Sequence, residues 1–119
     1  MEKVSLAEKL ALFSDHWNPR IVGELNGQQV KLAKLQGEFV WHDHANEDEL
    51  FLVLKGRLRM EFRGRIVELA EGEMLIVPRG VKHRPVAEEE VHVLLFEPAS
   101  TRHTGEVEHA LTRHELERI

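Results

Sequence analysis

The stretch G-E-F-V-W-H-D-H-A-N-E-D-E-L-F-L-V-L-K-G, Gly37 to Gly56, decides how this chain folds. His42 and His44 stand at i and i+2, and on an extended strand such residues project from one face because side chains alternate with period two. One cation can therefore touch both imidazoles. Glu49 lies five residues beyond His44, an odd spacing that would turn it away on an unbroken strand. The polar segment Ala45-Asn46-Glu47-Asp48 is thus expected to form a loop that resets the phase, after which Glu49, Phe51 and Val53 share a face of the next strand. A second stretch, G-E-M-L-I-V-P-R-G-V-K-H, runs from Gly72 to His83. Its apolar strand, Met74 to Val77, ends in a Pro78-Arg79-Gly80 turn that can fold His83 back as a fourth ligand. Three neutral imidazoles and one carboxylate suit a first-row divalent ion, and leave two neighbouring positions open if the ion is octahedral.

On either side of these stretches the pattern is short strands. Asn26-Gly27 between alternating runs predicts a tight hairpin. Strands are expected at Phe39 to His44, Glu49 to Leu54, Leu58 to Phe62, Ile66 to Leu69, Met74 to Val77 and Val91 to Phe96, each bounded by Gly, Pro or acidic residues. Short strands at even spacing point to an all-β sandwich or barrel. Near the N-terminus, Ser5 followed by Glu8 forms a capping box, with Leu6, Leu10 and Phe13 at helical spacing. At the other end Thr112 and Glu115 form a second box, with Leu111 and Leu116 as its staple, so a C-terminal helix of about two turns is expected after Thr112.

The two stretches resemble the paired signature motifs of the cupins. His42, His44, Glu49 and Gly56 fit the first motif; Gly72, Pro78, Gly80 and His83 fit the second, and the match spans Gly37 to Ala87. Two departures stand out: four residues separate Gly37 from His42 where five are usual, and Ala87 takes a place often held by Asn. The resemblance implies a double-stranded β-helix, or jelly-roll barrel, with a metal in its mouth, to which the two capping boxes add short N-terminal and C-terminal helices. The metal ligands it implies are His42, His44, Glu49 and His83.

Composition narrows the partners. At 119 residues the chain is expected to be one cupin domain, 1–119, with signature motifs at 37–56 and 72–87, since a chain of this size buries roughly two thirds of its unfolded surface. Acidic residues outnumber basic ones 21 to 16, giving a net charge of −5, and no basic stripe offers itself to phosphates, so nucleic acid is not an expected partner. No apolar run has the length of a membrane span, and Glu2, Lys3, Glu8 and Lys9 interrupt the stretch a signal peptide needs; a cytoplasmic location is expected. With no cysteine in the chain, imidazoles and a carboxylate must do all the coordination. Exposed strand edges and the amphipathic N-terminal segment suggest a homodimer.

Within the cupins, missing residue types discriminate. The chain has no tyrosine, which counts against epimerase-like and lyase-like cupins that use a Tyr acid or base, and no cysteine for a Cys-Tyr crosslink. The three-His, one-Glu set is similar to that of acireductone, quercetinase-like and oxalate-oxidising cupins. The leading expectation is a non-haem metalloenzyme, dioxygenase-like, holding Fe²⁺, Mn²⁺, Ni²⁺ or Zn²⁺ and acting on a small oxygen-rich substrate. Glu49 could leave the ion to act as a base, and His92, in an otherwise apolar strand, is the one further acid-base candidate. The alternatives are a metal-dependent small-molecule binding protein without turnover, and a sugar-isomerase-like cupin. Other residues carry weaker expectations. Lys31 and Lys34 alternate on a strand and are read as a solvated face, although one could reach an anion from inside the barrel. His16, Trp17 and Arg20 could line a pocket or a subunit contact, and Trp41 reads as core or dimer interface. The run Glu88-Glu89-Glu90 reads as a solvated turn, and His103, His109 and His114 as surface.

Overall fold

The computed structural model describes residues 1–105 and 115–119. Helix α1 (Leu6–Leu10) opens the chain, and the Ser5 side chain accepts from the Glu8 N–H at 3.3 Å, as the capping box requires. The helix is only five residues long, so Phe13 lies beyond it and packs separately, under the side chains of Arg20 and Lys34. Among the described residues seven strands follow: β1 (Arg20–Leu25), β2 (Gln28–Glu38), β3 (Glu49–Lys55), β4 (Leu58–Phe62), β5 (Arg65–Leu69), β6 (Met74–Val77) and β7 (His83–Pro98). The β1–β2 turn has φ of 49° at Asn26 and 78° at Gly27, the left-handed pair that a two-residue hairpin demands. Among the described residues no helix is long and apolar enough to cross a membrane.

All named strand pairs are antiparallel, in the order β1-β2-β7-β3-β6, with β4 joining both β5 and β7. The long strand β7 closes the jelly roll. Along one edge it pairs with β2 over most of its length, and along the other it pairs first with β4 (Val86↔Arg59) and then with β3 (Val93↔Val53). Glu88-Glu89-Glu90 sits at the changeover between β4 and β3, so it is an exposed part of β7 rather than the expected turn. A side chain at Gly56 would meet the Glu90 carbonyl at 3.0 Å, and Gly56 has φ +90°; only glycine passes β7 there without strain.

Alternation sets the interior. Phe51 and Val53 of β3, Met60 of β4 and Val91, Val93 and Leu95 of β7 all point inward to one apolar cluster, while Glu49 occupies the inward place at the start of β3. The expected strand from Phe39 to His44 is reduced to a single bridge, His42↔His83, after β2 ends at Glu38. There the chain leaves the ladder to enter the metal loop. The expected C-terminal helix does not extend through 115–119: Arg118 bridges Ile21 in parallel, with Ile21 N–H on the Glu117 carbonyl at 2.9 Å. Thr112, Leu111, His109 and His114 lie outside the described residues.

Candidate metal centre

The site is assembled by backbone pairing before any side chain is considered. His42 and His83 exchange backbone hydrogen bonds at 3.1 and 2.9 Å, and the His44 carbonyl accepts from Gly80 N–H at 2.8 Å. The loop of the first motif is thereby stitched to the turn of the second. The polar 45–48 segment forms the expected phase-resetting loop, anchored where the Asp48 carboxylate takes both the Arg79 backbone N–H at 2.9 Å and its guanidinium at 3.2 Å. Glu49 then enters β3 facing inward.

The outcome is a group of four buried residues, His42, His44, Glu49 and His83, whose donor atoms all lie within 4.8 Å of one another. His42 Nδ1 and His83 Nδ1 each lie 2.9 Å from a backbone carbonyl, of Val40 and Val81. A carbonyl only accepts, so each Nδ1 carries the proton and each Nε2 keeps its lone pair turned to the centre, the arrangement that metal-binding imidazoles need. His44 Nε2 and His83 Nε2 approach Glu49 Oε1 at 3.5 and 3.4 Å, yet all three atoms are buried without a hydrogen-bond partner. Burying three such atoms together unsatisfied is costly, and a shared cation relieves all three at once. The donor set fits a first-row divalent ion.

Behind Glu49 lies an arrangement not expected from the sequence. Lys31 points into the barrel, 1% exposed, and its ammonium donates to Glu97 Oε1 at 2.7 Å; it is not on a solvated face. Glu97, also buried, touches Glu49. Burial, followed by the charge of Glu49, pushes the Glu97 carboxyl well above its usual range. Burial also opposes charge on Glu49, but contact with Glu97 and with the His44 and His83 rings outweighs it and holds that carboxyl well below its usual range. The two carboxyls are thus driven in opposite directions, Glu49 toward the anion at the ion site and Glu97 toward its protonated form. Lys34 takes another path, capping the Phe13 carbonyl at 2.6 Å.

Burial, and next the neighbouring His83, lower the His42 pKa to about 3. Unfolded His42 titrates near ~6.5, so between these two values the unfolded chain binds the additional proton. The stability that neutral His42 confers is therefore complete above about pH 6.5 and lost as pH falls toward 3. Thermal unfolding of metal-free protein is expected to weaken from pH 7 to pH 4 with a slope approaching about 1.4 kcal/mol per pH unit; a His42→Gln variant whose slope equals the parent's would refute the assignment.

The remaining candidates fall elsewhere. His92 does not point toward the ions' site: Val91 and Val93 hold the inward positions on β7, so His92 faces outward and meets Glu90 at 3.0 Å. Glu90 also binds His16, at 2.7 Å. Trp41 is half-buried, with the Arg63 guanidinium 3.9 Å and that of Arg84 5.3 Å from its ring. Trp17 does line a pocket, as anticipated, stacked on Phe39 at 4.5 Å with its Nε1 donating to the Gln36 carbonyl at 2.9 Å. That pocket is an apolar cleft bordered by the ligands His42 and Glu49 and walled by Phe39, Phe51 and Leu95. His103 was expected at the surface but is buried and lines the same cleft. A lone histidine in a polar tail gives no local signal of such burial.

An antiparallel barrel that gathers three buried imidazoles and a carboxylate defines a class of β-barrels with a candidate metal site. The sequence pattern of the cupin domain matches residues 28–97, and the chain belongs to the cupin family. A solved structure of a cupin-2 domain protein from Shewanella frigidimarina is 45% identical, with a TM-score of 0.79 over 80% of this chain and 93% of that one. Protein YdbB of Bacillus subtilis is 39% identical over 64 residues, 53% of this chain; the match spans 57% of YdbB's own length. At 22% identity and a TM-score of 0.67, hydroquinone 1,2-dioxygenase PnpCD, solved with Cd²⁺ and 4-hydroxybenzonitrile, shares the fold over 77% of this chain and 70% of its own.

Proposed function

We propose that this cupin holds one divalent first-row metal ion on His42, His44, Glu49 and His83 and acts as a dioxygenase-like oxidoreductase on a small oxygen-rich substrate. One observation carries the reading: three buried, unpartnered donor atoms converge beside a cleft bordered by His42 and Glu49. A bound ion of this kind supplies Lewis-acid polarisation and, if redox-active, oxygen activation. The chain's own contributions are to hold the imidazoles neutral and to exclude water with Trp17, Phe39, Phe51 and Leu95. Glu49 sets the charge at the centre and is the base within reach of an acidic substrate hydroxyl. The dioxygenase neighbour with a similar fold supports the choice of chemistry.

A second reading, a metal-dependent binding protein without turnover, draws support from the scarcity of polar groups in the cleft. The same scarcity counts against a sugar, whose hydroxyls need many partners. Oxygen uptake by iron-reconstituted, untagged protein separates the two readings. Consumption with an enolic, diketone or catecholic substrate is expected; stoichiometric zinc in the purified protein, with no uptake on iron loading, would leave the binding protein standing.

The reading includes a homodimer. Among the described residues strand β6 ends the sheet, paired only with β3, and exposes Met74 and Ile76, each more than half accessible; an apolar edge of this kind invites pairing with a second copy. Sedimentation is expected to give twice the 13.8 kDa chain mass at micromolar concentration, and a monomer alone would refute it.

A further inference from the structure

The four ligands are closed off: none is more than 4% exposed, and the cleft that His42 and Glu49 border has a volume of about 30 Å³, room for about one water. A larger molecule entering by this cleft therefore needs one of its walls to move. Ala33 and Leu35 of β2, Phe51 of β3 and Leu95 of β7 are walls held by the antiparallel ladder, and shifting any of them breaks strand pairing. Phe39 is tied to β7 by its N–H on the Pro85 carbonyl at 3.0 Å. His103 sits in a turn packed on the metal loop, where Gly105 leaves no room for a side chain beside Asp43.

Trp17 is held differently. It lies in the connection between α1 and β1, outside helix and strand, with φ of 58°, a left-handed conformation that is strained for a bulky aromatic residue. The stack on Phe39 and the Nε1 bond to the Gln36 carbonyl offset that strain only while the indole is inside the cleft. Leaving the cleft gives up these contacts but permits the backbone to relax, which narrows the gap between the two positions. The Trp17 N–H on the Lys34 carbonyl at 3.0 Å is a pivot that can persist while the side chain swings.

The preceding residue fastens the connection to β7. One oxygen of the Glu90 carboxylate meets His16 Nε2 at 2.7 Å, and the other meets His92 Nε2 at 3.0 Å. The hydrogen bonds of His16 and His92 hold the Glu90 carboxyl below its usual range. The His16 and Glu90 side chains are 34% and 41% exposed, and an exposed pair of this kind forms and breaks readily.

We propose that Trp17 is the gate of the metal centre and the His16–Glu90–His92 cluster its latch: when His16 parts from Glu90, the connection lifts the indole off Phe39 and opens the cleft to a small anionic or oxygen-donor ligand. The proposal deepens the metal-site reading and rests on it. A mobile connection that closes over a site and excludes water performs this role with few moving residues.

Azide, a small anion that fills open metal positions, is the probe. Its binding to cobalt-loaded protein is followed by stopped-flow absorbance in the parent, Glu90→Ala and Trp17→Leu, with Glu24→Ala as control, since it breaks another exposed pair, with Arg118. The association rate is expected to rise about 3-fold in Glu90→Ala and about 10-fold in Trp17→Leu, with cobalt affinity in Glu90→Ala within about 2-fold of the parent and no change in Glu24→Ala. A second measurement needs no metal. In a Trp41→Phe background Trp17 is the sole tryptophan, and its quenching by acrylamide is expected to increase about 2-fold on Glu90→Ala and not on Glu24→Ala. Glu90→Ala matching Glu24→Ala in either measurement would overturn the latch, and azide entering Trp17→Leu no faster than the parent would overturn the gate. Glu90→Ala leaves the core untouched, so it carries the test if Trp17→Leu does not fold. A parent that takes up no cobalt would overturn the metal-site reading and the gate with it, an outcome distinct from the others because Trp17 quenching is read without metal.

Discussion

His83→Ala protein is expected to lose its metal. His83 is fully buried, its Nδ1 is committed to the Val81 carbonyl, and its Nε2 is one of the three partnerless donor atoms at the centre. Alanine removes that donor but leaves the backbone bridge to His42 intact, since the bridge uses only main-chain groups. Even the loss of an outer partner of a metal ligand costs 10–100-fold in affinity, so loss of a ligand is expected to cost at least about 100-fold. Elemental analysis after dialysis should find close to one equivalent in the parent and almost none in the variant. A ligand that binds only the folded state raises the melting temperature, so added metal should stabilise the parent and not the variant. Retention of a full equivalent by the variant would show that the ion sits elsewhere. Acid should act in the same direction, because protons compete with the ion for each imidazole.

Lys31→Met is expected to be the most destabilising single substitution away from the ligands. Lys31 donates to Glu97 in the barrel interior, next to Glu49, and is the cation that offsets the charge of these buried carboxyls in the metal-free protein. Removing one partner from a buried pair typically costs about 3–5 kcal/mol, while replacing both with apolar groups is often close to neutral. The melting temperature of the metal-free variant should fall by roughly 10 °C or more. Two controls make the cause visible. Lys31→Met/Glu97→Leu should recover much of the loss, and metal should rescue the single variant more than it helps the parent, since an ion beside Glu49 supplies the missing positive charge. A drop of the same size with and without metal would mean that Lys31 contributes packing alone.

These two predictions differ in how far the sequence foretold them. His42, His44, Glu49 and His83 were legible because each is placed by local rules: strand alternation, the polar loop that resets phase, and the Pro78-Arg79-Gly80 turn. The Asn26-Gly27 hairpin and the Ser5 cap were legible on the same grounds, since turn and cap chemistry involve only neighbours in the chain. His92 misled for a related reason. Its surroundings in sequence are apolar on both sides, and alternation alone does not say which parity of a strand faces in until the partners are known. Val91, Val93 and Leu95 claim the interior, and His92 is left outside with Glu90.

The sequence by itself determined the fold class, the turns and the four residues of the candidate metal site, because those depend on spacing over a few residues. Only the tertiary structure decided what surrounds that group. Lys31 and Glu97 are 66 residues apart, and their meeting beside Glu49 follows from the antiparallel register of β2 and β7, in which Lys31 lies opposite Leu95 and Gln29 opposite Glu97. His103 likewise reaches the cleft only because the chain after β7 folds back over the loop at Asp43. A lysine or histidine in a sequence reads as solvated, since burying a lone polar group costs free energy; the partners that offset the cost arrive through long-range pairing, which no local pattern encodes.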